Sequence, residues 1–551
     1  MLTPEQLAHC ADDIINLYAQ LEEQIVRDIA RRIAKTGTMT DTGIWQAQHM
    51  QELGTLHSDV LSSVAKYSDK TESELKKLFE DAGIKATEYD NEIYRRNGLN
   101  PKSLKVSDTQ MQLLEAGYKK TQGNLSNLTL TTAVSSQTSF INACSLAELK
   151  ASSGAFSPQQ AIADAIKQVA QDGAFVIYPS GHRDRLDVAV RRNVMTGIGQ
   201  TTGEICIANA RELGCDLMEI TAHAGARPSH SAWQGQIVSL SGRKGYLSLS
   251  DIGYGTGDGF KGWNCRHDWY PYFEGSSRMY SAKDIKELDV KNIEFPDGSM
   301  HTLYEAEQQQ RAFERKIRQT KRTLNACDEA INNLSDKELL QKLDNEFSKY
   351  SIKLKRQESE LNNFCDKTGL LKDNARSQAY GFSRSTAQKA VSSAKKHFKT
   401  WSKDHNINNI ETLAEYYNVK YNDTERYTLL KNYVNSVDKG NLSPLTGFDL
   451  YEDYYNKVQN ELIGLSIAKG IKVKSQSIHF LERVFGTKED PKNSLPRNGV
   501  DISDIKNALL NDKNPRFSSK NNSYVFASDK CQVSISPEGN LIQTNPKKVK
   551  K

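Results

Sequence analysis

Two stretches carry the residue types best suited to hold a metal or move protons: HAGARPSHSAWQGQ, residues 223–236, and GWNCRHDWYP, residues 262–271. His223, His230, Cys265 and His267 are all zinc-ligand types. Their close pairs, H-x6-H and C-x-H, do not match the short ligand spacings of structural zinc sites, so the sequence predicts no metal and no cofactor here. The expected role of these four residues, with Arg227 and Trp233, is to hold the fold by hydrogen bonds and packing. Ser229 lacks a nucleophile-elbow sequence and is not expected to be hydrolytic. GYGTGDGFKG, residues 253–262, lacks the GxxxxGK order of a phosphate loop and reads as a mobile surface loop.

The elements that must position these residues are short strands among helices. CDLMEITAHAG, GQIVSLSG and KGYLSLSD each alternate as strands do, while the long run before them, from Asp184, keeps a helical period with a break expected near Gly197. Residues 1–150 read as helices joined by polar loops. Thr3 and Pro4 open the first of them, Leu7, Ile14, Leu17, Leu21, Ile25 and Ile29 follow at helical spacing, and Gly37 closes the run. Ser157, Pro158 and Gly173 frame another helix. Between Leu303 and Phe364 two heptad registers flank NNLSD, which predicts an antiparallel coiled-coil hairpin over 300–367, acting as a spacer or oligomerisation arm. Residues 368–440 read as a polar helical linker. In 441–551, helices through SIHFLERVFG and DISDIKNALLN precede strands SYVFA, CQVSIS and NLIQTN, with PEG turning the last two.

The expected class is therefore a multidomain α+β protein: a helical region over 1–150, a small mixed domain over 151–285, the hairpin, the linker, and an α+β domain over 441–551. No run approaches the ~18–20 apolar residues of a membrane span, and the N-terminus lacks the basic and apolar regions of a signal peptide. No membrane partner is expected, and synthesis is expected in a cytoplasm. The eight cysteines form no CxxC pair and read as reduced thiols. The net charge of +5 is carried by residues 440–551, where 14 Lys and 3 Arg face 12 acids. That asymmetry fits an acidic partner such as nucleic acid.

RRNVMTGIGQTTGEICIANARELGCDLMEITAHAGARPSHSAWQGQIVSLSG followed by GYGTGDGFKGWNCRHDWYPYFEG resembles the phage minor capsid protein 2 family, related to Mu F-type head morphogenesis proteins. The resemblance spans about residues 1–280. It implies a virion component present in a few copies, with portal and capsid proteins as partners and no enzymatic activity in this part. It also answers what the His/Cys stretch is for: an architectural corner. The C-terminal stretches SIHFLERVFG, RNGVDISDIKNALLN and CQVSISPEGNLIQTNP resemble phage-encoded nuclease domains grouped with barnase, EndoU, colicin and RelE-type ribonucleases.

That second resemblance implies metal-free cleavage of RNA, with DNA the alternative substrate and an immunity protein as a further partner. His479 is the residue type best suited to serve as general base or acid. Arg483, four residues on along the same helix face, suits a phosphate oxygen, with Arg497 a second cation. Ser534 and Ser536 share a strand face and could donate to phosphate, and Thr544 matches the family's terminal T-x-P block. Simple hairpin register places Thr544 opposite Val533, away from Ser534 unless a bulge intervenes. Lys547 and Lys548 in the basic tail would meet the substrate backbone. The competing expectation is a purely structural virion protein whose C-terminal domain only binds.

Overall fold

Thr3 caps the first helix in the way its type requires: its hydroxyl accepts from Gln6 N at 3.1 Å while Gln6 Oε1 accepts from Thr3 N at 2.9 Å. A computed structural model of the protein describes residues 1–35, 42–487 and 497–547. The chain divides into two units, Met1–Val391 and Ser392–Lys551.

In the first unit, α1 (Pro4–His9) and α2 (Asp12–Lys35) part at Cys10, and Ile14, Tyr18, Leu21, Ile25 and Ile29 face the core. Tyr18, rather than Leu17, takes the buried place at that turn; Gly37 lies outside the described residues. Two long helices follow, α3 (Thr42–Arg96) and α4 (Asp108–Ser152), then α5 (Pro158–Asp172), framed by Ser157 and Gly173 as the sequence predicts. The hairpin β1 (Phe175–Ile177) and β2 (Arg183–Arg185) leads into α6 (Leu186–Glu212). Helix α6 runs unbroken through Gly197. That glycine serves packing instead: a Cβ there would lie 2.1 Å from Thr121 Oγ1, and one on Gly117 of α4 would lie 1.9 Å from Thr201 Oγ1 of α6. Each helix thus notches around the other's threonine.

Next come β3 (Leu217–Ile220), β4 (Ile237–Ser239), β5 (Leu247–Ser248) and β6 (Trp269–Pro271), in the sheet order β5-β4-β3-β6. Strand β3 is antiparallel to both neighbours. The small elements α7 (Ala282–Glu287), β7 (Ile293–Glu294) and β8 (Met300–His301) precede α8 (Leu303–Asn332) and α9 (Lys337–Thr368). These two helices are antiparallel: Phe313 meets Phe364, and seven residues on Thr320 bonds Gln357, seven residues back. Asp336 caps α9 through the backbone N–H groups of Glu338 and Leu339.

The hairpin is not a free arm. Ile317, Leu324, Cys327, Leu339, Leu343 and Leu354 share one core with α2, α4 and α5. Polar residues on the face away from the heptad seam explain the difference, since they pair with the bundle. Arg322, buried, reaches Glu22 Oε2 at 3.0 Å and Glu23 Oε2 at 4.0 Å. Burial pushes both carboxyls up, Glu23 to about 8, although Arg322 opposes the rise. A carboxyl raised in the folded state contributes stability that is complete below its ordinary value of 4.5 and is lost as pH rises through about 8. Glu23→Gln keeps an acceptor for Asn325 Nδ2 and removes this loss. The variant is expected to gain on wild type by on the order of 2 kcal/mol between pH 5 and 8 in parallel thermal melts; a constant difference over that range would contradict it.

The division between units falls within α10 (Arg384–Asp404). The second unit adds α11 (Leu413–Asn422), α12 (Thr424–Asp438), α13 (Phe448–Glu461), β9 (Ser475–Gln476), α14 (Ile478–Phe485), β10 (Gly486–Thr487), β11 (Arg497–Asn498) and α15 (Ile502–Asn511). It ends on β12 (Arg516–Ser518), β13 (Ser523–Ala527), β14 (Cys531–Ile535) and β15 (Asn540–Pro546). The sheet order is β12-β13-β14-β15-β9, antiparallel except for β15–β9. Phe398, Ile407, Ile410, Val419, Leu430 and Tyr433 lie in the same core as Phe480, Ile505, Phe526 and Val533. Residues 392–440 are therefore part of this unit rather than a linker. Their apolar groups are sparse and partly tyrosines, whose polar tips make a buried face read as a wet one; Tyr433 OH, for instance, donates to His405 O at 2.8 Å.

Candidate functional site

Three strand ends converge to build the His/Cys corner. Ile220 at the end of β3 pairs with Trp269 at the start of β6, and Glu219 pairs with Ile237 at the start of β4. His223 leaves β3, Cys265 and His267 enter β6, and a short 3-10 turn, Pro228–His230, lies on the way into β4. Residues 42 apart in sequence, Cys265 and His223, are thereby brought to one end of the sheet.

His230 Nδ1 and His267 Nδ1 lie 3.3 Å apart, and Cys265 Sγ is 3.7 Å from His267 Nδ1. The ring of His223 is centred 4.5 Å from that of His267, and Trp233 sits 4.4 Å from His230 and 4.8 Å from His267. His230, Trp233, Cys265 and His267 are buried, and His223 is half-buried. Among the described residues, His230, Cys265 and His267 form a group able to offer three donor atoms to a metal, all within 4.8 Å of one another. Burial drives His223 and His230 down to about 4 and His267 well below the usual imidazole range, and pushes the Cys265 thiol up. Arg227 stands at the rim, where it bonds Trp263 O at 2.7 Å and Asp258 Oδ1 at 3.3 Å. Ser229 is exposed.

The glycine-rich stretch is not a mobile surface loop. Phe260 and Lys261 are buried within it, and backbone bonds Gly255 N→Phe260 O, Phe260 N→Ile252 O and Trp263 N→Gly257 O, at 2.8, 2.9 and 2.7 Å, fold it on itself. Three of its glycines are required by close approach: a Cβ on Gly257, Gly259 or Gly262 would lie 2.9 Å from the Trp263 ring, 2.0 Å from Gly253 O or 2.1 Å from Thr256 O. The loop delivers Lys261 Nζ to Asp268 Oδ1 at 2.5 Å, a pair 1 % and 0 % exposed. Asp268 Oδ2 also accepts from Leu2 N at 2.6 Å, which ties the chain's first residues to this site. Neither partner stands out in the sequence, because a lysine between glycines reads as solvated. Asp268 beside His267 in the NCRHD run was the available signal.

In the second unit, His479 and Arg483 share an exposed face of α14, as the four-residue spacing predicts, with Arg483 Nε donating to His479 Nε2 at 3.4 Å. The imidazole is 49 % exposed, and its Nδ1 faces Glu482 Oε2 at 3.3 Å. Glu482 is buried and held by Ser436 Oγ at 2.7 Å and Asn441 Nδ2 at 3.0 Å. With Nδ1 held on the carboxylate, the ring's lone pair lies on Nε2, where Arg483 Nε now donates to it. Glu482, three residues from His479, was legible by spacing and was missed.

The sheet hydroxyls do not gather around it. Val533 does pair with Thr544, and Ser534 with Gln543; the bulge comes one step later, between Ser534 and Ile535, too late to bring the two hydroxyls to one face. Thr544 is buried on the core side, its hydroxyl donating to Gln532 O at 3.1 Å, so it cannot line a surface site. Ser536 belongs to the turn into β15, where its Oγ accepts from Asn540 N at 3.2 Å. Arg497 pairs with Thr487 in the β10–β11 ladder. Lys547 follows β15, with its N–H on Lys530 O at 2.7 Å, and Lys548 lies outside the described residues.

The model of the family described as phage minor capsid protein 2 matches residues 2–366. The chain belongs to that family. A protein of Lactococcus phage LL-H named "Structural protein" is 24 % identical over 305 residues, which cover 52 % of this chain and 78 % of the relative. No solved structure matches. The family region takes in the whole His/Cys corner, the glycine-rich loop and the α8–α9 hairpin, and ends before the second unit begins. No helix among the described residues is long and apolar enough to cross a membrane.

Proposed function

We propose that this member of the minor capsid protein 2 family is a low-copy component of the phage virion, made in the bacterial host cytoplasm. Its first unit docks with portal and capsid proteins, and its second unit is a metal-independent, ribonuclease-like effector. The observation that carries the reading is where the family's match stops. It ends at residue 366, and residues 392–551 hold a core of their own with His479 on its surface, held from beneath by the buried Glu482. In this reading His479 takes the proton from the 2′-hydroxyl, whose oxygen bonds to phosphorus and displaces the 5′-oxygen. The leaving oxygen is protonated from water, while Arg483 turns from His479 to the phosphate. Ser536, Arg497, Lys547 and Lys548 contribute to substrate binding at most, and Ser534 and Thr544, both buried, pack. Such an enzyme would need restraint in the producing cell, hence an immunity partner.

A second reading, a unit that binds nucleic acid or protein without cleaving, draws support from the burial of Thr544 away from Ser534. The division of labour is tested by particle assembly. A chain ended after Val391 is expected to enter heads as often as the full chain, measured by quantitative mass spectrometry of purified particles. Its exclusion from particles would show that the second unit is part of the docking machinery.

A further inference from the structure

The tautomers of the corner histidines are fixed by backbone groups. His223 Nδ1 faces Ala224 O at 2.9 Å and His230 Nε2 faces Asp258 O at 3.0 Å, so each of these nitrogens carries the proton. His267 Nε2 faces Gln234 Oε1 at 3.3 Å, and that oxygen also accepts the backbone N–H of His223 at 3.3 Å, which settles the orientation of the amide. Three lone pairs remain: Nδ1 of His230, Nδ1 of His267 and Nε2 of His223. The first two point at one another across 3.3 Å with no proton for either to give. The third is buried and has no hydrogen-bond partner among the described residues. Cys265 Sγ stands at 3.7 Å from the His267 lone pair.

From this we infer that His230, Cys265 and His267 form a structural site for a tetrahedral transition metal, zinc by the softness of the set. His223, whose Nε2 is buried and unpartnered among the described residues but outside that 4.8 Å group, turns in as the fourth donor. A zinc ion with Zn–N of ~2.05 Å and Zn–S of ~2.3 Å separates its nitrogens by ~3.3 Å and a nitrogen from the sulfur by ~3.6 Å. Two of the three edges already stand at 3.3 and 3.7 Å, and the third is within 4.8 Å. The carbonyls of Ala224 and Asp258 and the Gln234 amide supply the outer hydrogen bonds that ligating histidines make through their second nitrogen. The H-x6-H and C-x-H spacings argued against zinc only while the two pairs were considered separately. The pairing of β3 with β6 joins them into one set. Buried ligands leave no place for substrate, so the metal's role is to clamp residues 223–236 onto the start of β6.

The test uses the full chain. After dialysis against a weak chelator, released zinc is quantified, and the protein is then stripped and titrated with cobalt(II). One zinc per chain is expected, and one cobalt with the intense visible bands of a tetrahedral site and a near-ultraviolet thiolate-to-cobalt band. Cys265→Ser is expected to lose that near-ultraviolet band, and His223→Ala to weaken cobalt binding at least tenfold. A folded wild-type chain that takes up neither metal would overturn the inference. So would a thiolate band that survives in Cys265→Ser, because another cysteine would then be the ligand.

Discussion

Lys261→Met is expected to destabilise the first unit by about 3–5 kcal/mol, because it strips the nearest cation from a carboxylate that stays buried, leaving it the more distant Met1 ammonium. Asp268 is fully enclosed and Lys261 Nζ lies 2.5 Å from it. The methionine fills most of the lysine's volume, so the loss is electrostatic rather than a cavity. Asp268 would keep the N–H groups of Leu2 and Trp269, at 2.6 and 2.8 Å, which are too weak to replace a full charge. The double variant Lys261→Met/Asp268→Asn removes both charges and is expected to recover more than half of the loss. Chemical unfolding of the four proteins, followed by tryptophan fluorescence, gives the coupling energy directly. Simple additivity of the two single changes would mean that the pair is not what holds the glycine-rich loop.

The second large effect is expected from Gly262→Ala. A Cβ at this position would sit 2.1 Å from Thr256 O and 2.5 Å from Gly257 O, both backbone atoms of the same folded loop. Neither carbonyl can retreat cheaply, since Gly257 O is the acceptor for Trp263 N. Relief therefore requires the loop to open, and opening withdraws Lys261 from Asp268 and disturbs the approach to Cys265. A loss of more than about 3 kcal/mol is expected, in the range reserved for disrupted cores. Gly255→Ala is the control in the same loop. Its φ is +75° with nothing within 4 Å of a Cβ, so it should cost only the ~1–2 kcal/mol of left-handed strain. Equal melting temperatures for the two variants would contradict the packing argument.

These two variants also show why part of the site was hidden in the sequence. Glycine marks where a side chain cannot be tolerated, but the pattern GYGTGDGFKG does not say whether the reason is a turn, motion or a backbone pressed close. Only the fold places Thr256 O against Gly262. The strands β3, β4 and β5 were legible because alternation is local, and so were the two helices around NNLSD. The packing of that hairpin against α2 and α5 was not, since Arg322 and Glu22 look like surface residues until they are found facing each other. The convergence of His223, His230, Cys265 and His267 depends on which strands pair, information that spacing along the chain does not carry. In the second unit the register was simple enough to place Thr544 opposite Val533 from the hairpin alone. Residues 392–440 were missed for the opposite reason: their core contributions are few and scattered over three helices.

Under the proposed function, a member of a minor capsid protein family carries an enzyme beyond its family region. The most direct test is cleavage of labelled RNA, with DNA alongside, in the presence of chelator, by the full chain and by residues 392–551, each as wild type and as His479→Ala. The shorter form must begin near 392, because Phe398, Ile407 and Val419 belong to its core. Metal-independent RNA cleavage by both forms is expected, with at least a hundredfold loss in His479→Ala while the fold stays intact. Folded wild-type protein that leaves RNA and DNA whole, or cleavage indifferent to His479, would contradict it.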